Sequence, residues 1–326
     1  MGVISPQAVG VLTDSGHKYQ RELVNIPVLE ARKHTLKYMT GRRHVAGKLT
    51  YAEMTGNLEL GPYDADRTND SGVKYEPRTL ETFLGNCKYT FDPNQVSGTI
   101  FGDDDKIVGK ALLDAQAAKD IHTYLCKRLG AKLNAHIFNA VRNEHGTKTS
   151  ELFNGLDEIA RKEIAAGNIA AVKNNYLKIS EAISNVNAVD QLRLLGDSIS
   201  DELDEAIGLK MWLPKDIYKM YLQDYQSTVG AVPYNQQYKK TFLECSNQNI
   251  ELLPLASKKG SKYIQITTQD NMLYGYGGGL ADETAVIEKF DSFKLTFAAA
   301  MWFGVEYLSI APERMFIGEI TRPEAA

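Results

Sequence analysis

The sequence predicts an α+β fold, and three observations carry the prediction. Apolar and small residues recur at helical spacing from Asp114 to about Arg142 (Ala117, Ile121, Tyr124, Leu125, Leu129, Leu133, Ile137, Val141), with no proline among them. That pattern is one long amphipathic helix, roughly 43 Å at about 1.5 Å per residue, a spine more than a bundle member. Residues 1–105 hold many turn formers among short strand-like pieces (Gly56, Gly61, Pro62, Asp64, Asp66, Asn69, Asp70, Gly72, Pro77, Gly85, Pro93, Gly98). Such a segment makes a poor core of its own and is expected to bury against a neighbouring molecule. After the helices the chain turns to strands, without the alternation that builds a parallel sheet.

Taken in order, Pro27 suits the first turn of a short helix reaching Met39, and Gly41 its stop. A strand from Lys48 to Leu60, a tip from Gly61 to Gly72 and strands from Leu80 to Leu84 and Cys87 to Phe91 form a long two-stranded excursion. Its edges invite pairing with another chain. Asp103 to Asp105 precede the spine, where acid complements the helix dipole. A turn from Asn143 to Thr149 leads to a short helix ending near Ala166 and a strand from Ile169 to Ile179. A second amphipathic helix spans Asn185 to Ile207, with Val189, Leu192, Leu195, Ile199, Leu203 and Ile207 on one face. Its other face is acidic: Asp197, Asp201, Glu202, Asp204 and Glu205. Met211 to Leu213 reads as a buried strand, and Pro214 opens a helix from Lys215 to about Tyr225. Strands follow from Ile250 to Leu255, Lys262 to Thr268, Met272 to Tyr276, Ala285 to Val305 and Met315 to Ile320.

Composition narrows the function classes. With 326 residues, 43% of them hydrophobic and 24% charged, the chain has enough apolar material for a sizeable core. The densest apolar run, Leu295 to Val305, falls short of a bilayer span, and the first ten residues lack the pattern of a secretory signal. Cys87, Cys126 and Cys245 lie far apart, against a disulfide framework or zinc knuckle and in keeping with a reducing compartment. A net charge of -4 makes the whole chain no general nucleic-acid binder. One stretch differs: Arg32, Lys33, Lys37, Arg42, Arg43 and Lys48 lie with His34 and His44 among residues 31–52, where no acid occurs. This is either a solvated face or a contact for an acidic neighbour or a polyanion.

Chemical motifs are missing. Gly275, Gly277, Gly278 and Gly279 follow a strand, but Leu280 stands where a dinucleotide fingerprint needs its third glycine, and no Walker loop is present. The segment therefore reads as a strand connection. His122 and Cys126 sit one helical turn apart without third or fourth ligands, and His136 and His145 join no cluster, so packing accounts for them. No nucleophile elbow appears and the acid clusters fit solvated helix faces, so no catalytic residue, cofactor or metal is expected.

The order of basic arm, projecting hairpin, spine helix, α/β body and closing strands resembles the major capsid protein of tailed bacteriophages with the Hong Kong 97 fold. Local strings carry the resemblance: IFNAVRNEHGTKTSELFNGL (Ile137 to Leu156) looks like the spine exit and its glycine-containing loop. NVNAVDQLRLLGDSISDEL (Asn185 to Leu203) with MWLPKDIYKMYLQ (Met211 to Gln223) is similar to the axial-domain helix, strand and helix. The stretch from Asn249 to Glu319 resembles the returning strands, with Gly304 and Val305 at a step seen in many members. The likeness implies an amino-terminal arm (residues 1–44), an extended loop (45–102), a peripheral domain with the spine helix (103–150), a mainly axial domain (151–284) and returning strands (285–326).

It further implies a structural, non-enzymatic subunit that self-assembles into pentamers and hexamers of an icosahedral head around double-stranded DNA. Portal, decoration and scaffolding proteins would be partners, with no membrane, and the site would be the virion, assembled in the bacterial cytoplasm. The length ahead of the spine leads us to expect a scaffold that is separate or absent. Some relatives join neighbours by a lysine-to-asparagine isopeptide bond, for which Lys48, Lys74 and Lys88 are the candidate donors. Two alternatives stand beside this reading: an encapsulin-type nanocompartment shell, and an α+β enzyme with a small-molecule site near Gly275 to Gly279.

Overall fold

The computed structural model describes residues 6–55, 62–63, 74–91, 115–229, 241–244, 246–291 and 294–322. Asp103 to Asp105, Asp114, Cys245 and the hairpin tip apart from Pro62 and Tyr63 lie outside them.

The chain opens with helix α1 (Pro6–Arg32) and a short 3-10 turn (Thr35–Tyr38), where the sequence predicted a helix from Pro27 to Met39. Pro27 lies inside α1, although it removes one backbone hydrogen bond. Tertiary packing outweighs that loss. Leu23, Val24, Val28 and Ala31 are buried at helical spacing, and α1 runs alongside the spine helix α2 (Ala115–His136). The two backbones come so close that a Cβ on Gly130 would overlap the Pro27 carbonyl oxygen. The expectation that the leading third buries itself only on other molecules is therefore corrected: the second half of α1 is core of its own subunit.

The spine ends at His136, six residues before the predicted Arg142. Beyond it the carbonyls of Ile137, Phe138 and Ala140 accept from Leu156, Asp157 and Gly155, at the start of helix α3 (Leu156–Ala165). Those tertiary bonds replace the next helical turn.

Strands β1 (Thr40–Arg43), β2 (Lys48–Thr55), β3 (Lys74–Glu81) and β4 (Phe83–Phe91) precede the spine; β2 and β3 form an antiparallel hairpin in register from Lys48 opposite Glu81 to Thr55 opposite Lys74. After α3 come β5 (Tyr176–Ala182), α4 (Ala188–Asp197), the short α5 (Asp201–Asp204), β6 (Lys210–Pro214) and α6 (Lys215–Val229). The predicted strand from Ile169 starts only at Tyr176, because the buried Asn175 side chain bonds the Ala170 amide and the Asn168 and Ile310 carbonyls and bends the chain. The predicted helix from Asn185 to Ile207 is broken at Ser198 to Ser200. There Ser198 Oγ returns to the Leu194 carbonyl, and Ser200 Oγ caps α5 through the Leu203 amide while donating to Pro312.

The remaining strands are β7 (Glu251–Leu255), β8 (Tyr263–Thr267), β9 (Met272–Tyr276), β10 (Thr284–Lys289), β11 (Leu295–Tyr307) and β12 (Met315–Thr321). The single strand predicted from Ala285 to Val305 is a hairpin instead, turned where the Asp291 carboxylate takes the Lys294 amide at 2.7 Å. One sheet is ordered β1-β9-β11-β10, and β4 pairs along the other edge of β11; a second is ordered β5-β12-β8-β6-β7. Three apolar clusters follow: α4 and α6 on the second sheet, α1 and α2 on β10 and β11, and a central one around Trp212, Phe138, Phe153 and Phe303.

Candidate assembly surface

The Arg78 side chain, 12% exposed, ties the hairpin to the body beside the buried Leu80. Along β3, Arg78 and Leu80, followed by Thr82 just beyond the strand, alternate onto the inward face, as a period of two requires. Arg78 Nη2 lies 2.8 Å from Glu306 Oε1 of β11 and its Nη1 lies 3.3 Å from Glu163 Oε1 of α3, while Nε donates to the Tyr307 carbonyl at 3.2 Å. Burial opposes the charge on Arg78, but Glu306 and Glu163 outweigh it and raise its pKa. Burial pushes the Glu306 carboxyl upward, and Arg78 pulls it part of the way back. Next to this anchor a Cβ on Gly304 would overlap the Glu81 carbonyl oxygen, so only glycine lets the end of β3 cross β11.

The predicted contact residues fall into three settings. Arg32 is partly buried, its guanidinium over the rings of Tyr274 and Tyr276, and the exposed Arg43 donates to the Gly278 carbonyl at 2.8 Å. Lys33, Lys37, Arg42 and Lys48 are exposed, with Lys33 against Glu30, Lys48 against Glu81, Lys37 over Tyr38 and Arg42 over Tyr51. Asp197, Asp201, Glu202, Asp204 and Glu205 are all exposed on α4, α5 and the turn after them, beside Ile207 at 97% exposure. The basic and acidic groups thus sit on different parts of the molecule, the first around the α1 end and hairpin base, the second on the helices covering the second sheet.

Between α1, α2, β4 and the loop of residues 142–152 lies a groove of 550 Å³, lined among others by Leu133, Lys88, Arg142 and Lys148. Arg142 fastens that loop to β4, with its guanidinium 3.7 Å from the centre of the Phe83 ring and a bond to the Leu152 carbonyl.

The glycine-rich segment holds an internal anion. The buried Glu283 carboxylate accepts from the amides of Gly279, Leu280 and Trp302, occupying the donors that a phosphate would use. His122 and Cys126 are buried between α1, α2 and the β10–β11 layer, and burial pushes the Cys126 thiol up to about 12. Among the described residues no three or more metal-ligating side chains converge, and no helix is long and apolar enough to cross a membrane.

Sequence reasoning missed Arg78, whose alternation with Leu80 was the available signal. It also missed Lys258, fully buried over the Phe138 ring and bonded to Asp157 and Gln265; beside Lys259 it reads as part of a solvated pair.

No family model matches the chain, and no curated protein matches it. Solved structures do. A chain of the satellite phage P4 procapsid, in an assembly that includes the size determination protein, superposes with a TM-score of 0.57 and 13% identity, over 91% of this chain and 98% of that one. The cyanophage A-1(L) capsid gives 0.54 at 11% identity, over 92% and 94%. The fold is the Hong Kong 97 capsid fold. The same Hong Kong 97 architecture relates the chain to the SrpI encapsulin of Synechococcus elongatus PCC 7942, with a TM-score of 0.50 at 10% identity over 89% of each chain. The β2–β3 hairpin meets the body where Arg78 pairs with Glu306 and where Gly304 admits the Glu81 carbonyl, and α2 is the long helix alongside α1.

Proposed function

We propose that this chain is the major capsid subunit of a tailed bacteriophage, assembling as rings of five and six into a closed shell around double-stranded DNA. The observation that carries this reading is the superposition of nearly the whole chain on nearly the whole of a phage procapsid chain. Its physical counterpart is a hairpin that pairs only with itself among the described residues, leaving backbone edges for a neighbouring copy. A closed shell requires heterologous contacts that rotate into rings. The exposed basic groups Lys33, Lys37, Arg42 and Lys48 supply one side of such a contact, and Asp197, Asp201, Glu202, Asp204 and Glu205 the other. Arg32 and Arg43 flank it, the first holding the end of α1 on Tyr274 and Tyr276 and the second bonding the Gly278 carbonyl.

The role is structural, the location the virion, and portal, decoration and scaffolding proteins are candidate further partners. The arm, extended-loop, peripheral and axial divisions at residues 1–44, 45–102, 103–150 and 151–284, with returning strands from 285, follow from the same reading. An encapsulin-type shell is the second reading, favoured by the match to the Synechococcus protein. Electron microscopy of the purified chain, with nuclease-protected contents extracted from any particles, tests both. Closed shells holding nucleic acid are expected; shells holding an enzyme cargo support the second reading, and a monomer or dimer at high concentration defeats both.

A further inference from the structure

The spine helix carries a cationic face that the function so far leaves unused. From Ile121 to Asn143 the chain contains no Asp or Glu, while it contains Lys127, Arg128, Lys132, His136 and Arg142. Lys127, Arg128 and Lys132 are exposed, with Ala131 and Ala135 exposed between and beyond them, and among the described residues none of the three forms an ion pair. Arg128 is pre-positioned: its Nε donates to the Tyr124 hydroxyl at 3.1 Å and its guanidinium lies over the Tyr124 ring. The Thr35 amide bonds Asn134 Oδ1 on α2, so the end of α1, where Lys33 pairs with Glu30, borders this face without being part of it.

We propose that this face binds the phosphate backbone of double-stranded DNA and is the inner wall of the shell. The inference rests on the capsid reading and assigns the surface by which that shell meets its contents. A chain of net charge -4 repels a polyanion except where a face is locally positive, and small residues interleaved with cations let a duplex approach closely. The contacts are to phosphate, so binding is independent of sequence and strongly dependent on salt.

The test compares the full-length protein with the triple variant Lys127→Gln, Arg128→Gln, Lys132→Gln. Random-sequence duplex DNA is titrated onto unassembled protein over a range of NaCl concentrations, and onto closed shells from outside. Each lost phosphate contact lowers the slope of log K against log salt by about 0.9, so a reduction of about 2 to 3 is expected, with assembly yield unchanged. Closed wild-type shells are expected to bind added DNA more weakly than the free subunit, because closure hides the face. An unchanged slope overturns the proposal. So does full binding by closed shells, or lost assembly with DNA affinity retained, which would show that another copy's acidic face is the true occupant. If the wild-type protein builds no shells the capsid reading fails, and the slope still decides whether the face binds DNA.

Discussion

At the scale of single residues, stability and geometry concentrate in a few buried charges. Arg78 joins three elements that are distant in sequence, β3, α3 and β11, and its removal leaves Glu306 buried without a cation. Breaking such a pair costs about 3 to 5 kcal/mol, so Arg78→Met is expected to lower the unfolding free energy by that amount, and the denaturant midpoint by that amount divided by the m-value. Hydrogen exchange should report faster opening in β3 than in β12. Lys258 behaves differently, because burial lowers its pKa from 10.5 to about 8. Between those values the unfolded chain holds a proton that the folded chain has released, so stability rises with pH from about 8 to 10.5. Below that window the protein carries the full cost of a buried ammonium, about 3 kcal/mol. Chemical denaturation of wild type and Lys258→Met at pH 7 and pH 10 is expected to show this difference in slope; parallel pH profiles would disprove it.

Elements are placed by close backbone approach more than by propensity. α1 tolerates Pro27 because Gly130 lets it lie against the spine, and the hairpin crosses β11 because Gly304 has no side chain. Gly304→Ala forces Glu81 away from β11 and disturbs the neighbouring Arg78 anchor. It is expected to cost about 1 to 3 kcal/mol, the range for overpacking, and to lower assembly yield in sedimentation more than it lowers thermal stability. These sites also show why element boundaries misled the sequence reading. Helical periodicity continues through Arg142 and through Ile207, but carbonyls beyond His136 are taken by α3, and Ser198 and Ser200 divert the backbone between α4 and α5. Competing hydrogen bonds of this kind come from residues far away or from side chains with several uses.

At the scale of the whole molecule, two charged surfaces stand apart among the described residues: a mainly cationic one along the spine, the α1 end and the hairpin base, and a mainly acidic one on α4, α5 and the following turn. Exposed pairs each contribute only about 0 to 1 kcal/mol, so their weight lies in repetition across many copies and in setting which faces meet. The combined variant Asp201→Asn, Glu202→Gln, Asp204→Asn, Glu205→Gln is expected to leave the thermal midpoint within a few degrees and to slow assembly, with the difference shrinking as NaCl rises. Light scattering during assembly measures this, and equal rates at low salt would remove these acids from the contact.

The α+β class, the spine, the first hairpin strand and the exact span of β9 were legible in the sequence, because periodicity and turn chemistry are local properties; the returning hairpin strand was not, since it is Lys74–Glu81, and the strands expected from Leu80 to Phe91 fall mostly in β4, which pairs with β11. The Hong Kong 97 fold was legible too, since the order of elements survives where identity falls to 13%. Only the tertiary structure showed that α1 belongs to its own subunit's core, that Glu283 fills the glycine-rich loop, and that Arg78 carries the hairpin. The α1 core and the Arg78 anchor depend on groups far apart in sequence, and the Glu283 contacts on a turn that aims its carboxylate at amides three and four residues before it and at the Trp302 amide of β11. No local pattern encodes the backbone approach or the buried partner that makes such contacts favourable.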